Sequence, residues 1–136
     1  MQFLKLFSIS LLMFAAGTSL TSGVSAEGLS GTFHVAPMKT GGMWYMDDRD
    51  DGSYLIFSTG FNTGRGPNLQ IYLSKASADE ATGRGLDSDK YVGGLKAFQG
   101  AQSYKLPKGV AVADYASIVI VCDKFHKLWA ASDLAG

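Results

Sequence analysis

Ser117-Ile118-Val119-Ile120-Val121-Cys122 is the most apolar β-branched run outside the N-terminal segment, and it ends on the only cysteine of the chain. β-Branched side chains suit a pleated backbone, and an unbroken apolar run suits a strand buried on both faces. The stretch therefore reads as the central strand of the fold. Its thiol sits at the strand's exit, where the chain passes from core to surface, followed by Asp123-Lys124-Phe125-His126.

Working outward, the same alternation recurs in short pieces. Leu69-Gln70-Ile71-Tyr72-Leu73-Ser74 places Leu69, Ile71 and Leu73 on one face, as a half-buried strand does. Met43-Trp44-Tyr45-Met46 and Tyr54-Leu55-Ile56-Phe57 flank an aspartate-rich segment ending in Asp51-Gly52, a hairpin signal. Residues 31–36 read as a strand with His34 on the less apolar face. Further strands are expected over 90–97, with a bulge or bend at Gly93-Gly94, over 102–106 with Tyr104 inward, and over 124–130. The polar residues 76–89 form the longest loop. Seventeen glycines, three prolines and no long helical period fit this spacing. The expectation is all-β: one antiparallel sandwich or barrel of about eight short strands.

Residues 1–26 read differently. Lys5 supplies a positive n-region, residues 6–16 an apolar stretch too short to span a membrane, and Val24-Ser25-Ala26 a small-residue cleavage site. A cleavable secretory signal is expected there, with a single domain over 27–136 and a secreted or periplasmic product. Beyond residue 26 the charges nearly balance, with no basic tract. That composition argues against a nucleic acid or an anionic membrane surface as partner.

A lone cysteine in an oxidising compartment has no internal disulfide partner. It is buried and inert, paired with another chain, reactive, or bound to a metal. Redox work needs an accessible thiolate and nearby positive charge. Lys124, His126 and Lys127 supply that field if the chain turns at Asp123. If the strand runs straight on, His126 lies roughly 13 Å from Cys122 at about 3.3 Å per residue. Both geometries are open at this stage, and so is burial, since free cysteine often serves as a small hydrophobe.

Other site readings fare less well. A blue-copper centre needs two histidines, a cysteine and an axial methionine, for which His34, His126, Cys122 and Met43 are the candidates. Covalent c-type haem is excluded because Cys-x-x-Cys-His is missing. Non-covalent haem is left open, and no cofactor is assigned. Asp47, Asp48, Asp50 and Asp51 lack the spacing of a calcium loop, with Arg49 among them and no closing glutamate. The glycine-rich stretch before Leu69 leads into a strand, which is wrong for a phosphate cradle. No Gly-x-Ser-x-Gly element or acid–base pair is present. The chain reads as a carrier or binding module rather than a catalyst.

Gly31-Thr32-Phe33-His34, the Asp51-Gly52 hairpin with Leu55 and Phe57, and Gly66-Pro67-Asn68-Leu69 running into Tyr72-Leu73-Ser74 occur in a telling order. They are followed by Gly94-Leu95-Lys96, Gly100-Ala101-Gln102-Ser103-Tyr104, Leu106-Pro107, and Tyr115 to Ile120 running into Cys122 and Phe125. Together these segments resemble the DM-thirteen domain family, over about residues 30–134. The resemblance implies a compact extracellular β domain found beside haem-binding and other redox modules. It also implies electron transfer through the late cysteine, here Cys122, with an extracellular redox protein as partner. Val121 stands where that pattern carries a tryptophan. Two functions follow: a redox module using Cys122, or a binding or structural β domain whose cysteine is core.

Overall fold

The computed structural model describes residues 28–84 and 86–135, so the expected signal segment lies outside the described residues. Among the described residues eight strands form: β1 (Ser30–Thr32), β2 (Met43–Arg49), β3 (Gly52–Phe57), β4 (Leu69–Ser74), β5 (Lys90–Gly94), β6 (Gln102–Lys105), β7 (Ser117–Cys122) and β8 (Lys127–Asp133). They make two four-stranded antiparallel sheets, ordered β1-β2-β3-β6 and β5-β4-β7-β8. The fold is an all-β sandwich.

The period-two pattern explains which side chains meet between the sheets. Trp44 and Met46 of β2 point inward, while Met43 and Tyr45, which alternate with them, are exposed. Leu55 and Phe57, Leu69, Ile71 and Leu73, and Ile118, Ile120 and Cys122 complete one continuous core. Each such side chain contributes about 1.5–3 kcal/mol through removal of apolar area from water. Phe57 stacks on Phe61 with ring centroids 4.5 Å apart, and Phe33 meets both rings edge-on.

All six residues of β7 are buried, as its sequence required. The other face of its sheet carries Val119, Val121 and Ala131 beneath Ala78, with Val35, Tyr72, Ala81, Leu86 and Leu128 around them. The long connection between β4 and β5 is therefore a cover for this face. It contains a turn at Ala78 and one 3₁₀ turn, Leu86–Ser88. Val35 leaves the first sheet and bridges to Ala131, so the chain crosses between layers just after β1.

Several boundaries differ from the sequence expectation: β1 ends at Thr32 rather than at residue 36, β5 at Gly94 rather than at residue 97, and β8 runs on to Asp133, while three further differences have a visible local cause. In the β2–β3 hairpin Arg49 pairs with Gly52, so the turn residues are Asp50 and Asp51, and Gly52 opens β3 at φ 138°. In β5 the bulge falls on Val92, because Ile71 pairs with Gly93 and Tyr72 with Tyr91. The last strand starts at Lys127 rather than Lys124, since residues 123–126 are consumed by a tight turn.

The sheets are also joined by a polar contact inside the core. The Trp44 indole N–H donates to Ser132 Oγ at 2.7 Å. Ser132→Ala leaves that buried donor without an acceptor and is expected to cost about 1–3 kcal/mol, read as a lower urea midpoint at unchanged slope.

Candidate functional site

Cys122 ends β7 with no solvent exposure, its side chain in the inner core. The thiol donates to the Pro67 carbonyl oxygen at 3.0 Å. Pro67 belongs to a loop, residues 64–68, that is held from several sides. Trp129 Nε1–H donates to Gly64 O at 2.9 Å, and the indole ring lies directly on Gly66, where a Cβ would come within 2.7 Å of it. Asn68 adopts φ 55° and its carbonyl accepts the Asp123 N–H at 3.2 Å. Its side chain also accepts from Gln70 at 2.6 Å. The loop is a lid over the sulfur.

Trp129 reaches this position through a β-bulge. Ile120 pairs with Ala130 and Val121 with Leu128, which leaves Trp129 as the extra residue on β8. A bulge re-aims side chains, and here both Trp129 and Ala130 enter the inner core.

The chain does turn at Asp123, with the Phe125 N–H donating to Cys122 O at 3.2 Å and His126 at φ 49°. Cys122 and Lys127 are opposed as backbone partners. The charged groups nevertheless stay on the surface: Lys124, His126 and Lys127 are exposed, whereas the sulfur points inward. The turn brings the backbones together and leaves the cations outside.

The residues considered for copper are dispersed. His34 lies 3.4 Å from Asp133, at the far end of β8 from His126. A seven-residue strand separates the two by about 20 Å, at roughly 3.3 Å per residue. Met43 projects from the exposed face of β2. Among the described residues no group of three or more His, Cys, Asp or Glu side chains is placed to hold a metal.

Clefts open at two places among the described residues that bear on the site. One, of about 390 Å³, lies between the Asp51–Ser53 turn and the Lys105 to Val110 segment and contains none of Cys122, Lys124, His126, Lys127, His34 and Met43. The other, of about 290 Å³, is lined by Tyr72, Arg84, Asp87, Asp123 and His126, beside the β7–β8 turn. Burial, then the Asp123 carboxylate, raises the Tyr72 pKa.

The segments that carried the resemblance turn out to be joints. Gly66-Pro67-Asn68-Leu69 is the lid itself. In Gly100-Ala101-Gln102-Ser103-Tyr104, Gly100 takes φ 94°, and the Gln102 side chain bonds the backbone of Ala97 and Gly100 and accepts from the Tyr104 hydroxyl. That hydroxyl in turn accepts the Lys96 N–H at 2.8 Å. Val121 is fully buried on the opposite face from Cys122. The electron transfer DM13 family matches residues 32–133, three quarters of the sequence. The chain belongs to the DM13 family. No curated protein and no solved structure matches it.

Sequence reasoning missed the lid of the DM13 domain because its parts are far apart in the chain: Gly64, Gly66 and Pro67 meet Trp129 and Cys122 only after β4 and β7 pair. The indole and the glycine two residues before Asn68 were the available signals, since a close approach of a ring to backbone favours glycine.

Two outcomes are expected. Burial pushes the Tyr104 hydroxyl up to about 12. Its neutral form is thus favoured by folding, a contribution complete below about pH 10 and lost as pH rises towards 12. Ultraviolet titration of phenolate should show one late step near pH 12, absent in Tyr104→Phe. His126 is a non-glycine residue in the left-handed region, so His126→Gly is expected to stabilise the fold by up to about 1 kcal/mol in urea unfolding.

Proposed function

We propose that this DM13 domain is an exported electron-transfer module whose redox group is Cys122, closed by the 64–68 lid and engaged when that lid lifts. The observation that carries the reading is the Cys122 Sγ–H to Pro67 O hydrogen bond of 3.0 Å. It ties the only thiol of the chain to a surface loop rather than to the strands that hold the core.

The chemistry of a lone thiol supports a specific use. When the lid opens, the thiol loses its proton to solvent and the thiolate attacks one sulfur of a partner disulfide. A mixed disulfide forms and the other partner sulfur leaves as thiolate. In the closed state no such attack is feasible, because the sulfur has no solvent exposure. Closure also protects the cysteine from over-oxidation in an oxidising compartment, since susceptibility follows exposure.

A second reading is favoured by a different observation. Ser117, at the other end of β7, donates through Oγ to Ala76 O at 2.7 Å. Ser117 and Cys122 thus fasten the two connections on either side of β4, and the cysteine is a structural staple matching the serine. On this reading the domain is a binding or structural module with an inert core thiol.

Trapping kinetics separate the two. The folded protein is mixed with an aromatic disulfide reagent at neutral pH over a range of urea below the unfolding transition. Lid opening predicts a trapping rate nearly independent of urea, because little surface is exposed, and faster trapping in Gly66→Ala, whose Cβ pushes the loop off Trp129. If the rate instead climbs with the full urea slope of global unfolding, the thiol opens only with the whole fold and the redox reading is lost.

A further inference from the structure

The turn joining β7 to β8 is built outward in a way that closing a hairpin does not require. Phe125 is 60% exposed, the highest value among the large exposed hydrophobic residues of the described chain. Lys124 Nζ stands 5.6 Å over its ring. His126 holds a left-handed φ of 49°, a position where glycine is the unstrained choice. The carbonyl of His126 rests against Gly83, where any Cβ would lie only 2.4 Å away, so the neighbouring loop fixes the tip in place.

Exposed cations outnumber carboxylates around it. Lys124 and Lys127 are exposed on the turn, and Arg84 stands exposed at the cleft that His126, Asp87 and Asp123 also line. No ion pair among the described residues involves any of these three cations. The two nearby carboxylates, Asp87 and Asp123, line the cleft, whereas Lys124 and Lys127 stand outside it. An exposed aromatic ring with one lysine over it and two further exposed cations on the same turn and the neighbouring loop, none of them in an ion pair, is the complement of an apolar spot bordered by carboxylates.

The tip also lies directly over the sulfur's own residue. The Phe125 N–H donates to Cys122 O at 3.2 Å, and the Asp123 N–H donates to Asn68 O of the lid at 3.2 Å. A partner pressing on the tip therefore touches the backbone that carries the thiol and the hydrogen bond that fastens the lid. We infer that the 123–127 turn, with Arg84, is the docking surface for an acidic redox protein, seated with an apolar spot on Phe125 and carboxylates against Lys124, Lys127 and Arg84. The role of this docking in electron exchange rests on Cys122 being the redox group; the docking itself does not.

The test uses the full domain with an acidic flavodoxin as probe and a basic cytochrome c as its counterpart, followed through backbone amide shifts at low salt. The expected result is shifts concentrated at 123–127 and around Arg84 with the acidic protein only. Association should fall about tenfold or more with added salt or in the double variant Lys124→Glu, Lys127→Glu, as electrostatic steering requires. Phe125→Ser should weaken binding while leaving the salt dependence in place. Cys122→Ser should bind as the wild type does, so loss of the thiol chemistry does not disturb this readout. All substituted tip residues are exposed, and native amide dispersion verifies their folding. Absence of binding, shifts located elsewhere, equal binding of the basic protein, or indifference to charge reversal would each overturn the inference. If binding behaves as expected while the thiol is trapped only on global unfolding, the docking surface stands and the redox use of Cys122 falls.

Discussion

The structure depends on one constraint: β7 is apolar on both faces, so both faces of its sheet must be covered. The inner face is covered by the other sheet, and the outer face by the connection between β4 and β5 together with Val35. Burying a strand this completely leaves its ends as the places where polar groups need partners. Both ends answer in the same way, with Ser117 and Cys122 each donating a side-chain hydrogen to a carbonyl in the connections that bracket β4. The position of the sulfur thus follows from the burial of the strand. So does its closure.

The strands were legible in the sequence because they follow a local rule. Ile118 and Ile120 against Val119 and Val121, or Trp44 and Met46 against Met43 and Tyr45, show the alternation a sheet imposes, and the two-layer class follows from it. The boundaries that moved did so for reasons sequence period does not encode. Gly52 is needed for a left-handed φ just after the turn, not within it. Val92 bulges beside a glycine pair, and residues 123–126 are held as a loop by the Phe125 and Asp123 amide bonds. The candidate site was half legible. Cys122, the turn at Asp123 and the exposed cations were in view, but the lid was not, since Gly66 and Trp129 are brought together only by tertiary pairing.

That difference alters how the cysteine is understood. Proximity in sequence to Lys124, His126 and Lys127 suggested a thiol activated by positive charge, whereas the sheet directs the sulfur inward and the cations outward. The domain keeps its thiol in a dry, hydrogen-bonded position and the neighbouring cations on a separate, exposed tip. The two are linked through the backbone of residues 122–125 and the Asn68 carbonyl.

The central claim is that the 64–68 lid opens without unfolding the sandwich. The Asp123 amide reports this most directly, because its acceptor is the Asn68 carbonyl of the lid while its neighbours in β7 are held by the sheet. Native-state hydrogen exchange should show Asp123 exchanging through a local opening, with lower protection than Val119 and Ile120 and almost no dependence on urea. Equal protection at all three positions, falling together with the urea slope of global unfolding, would contradict the account.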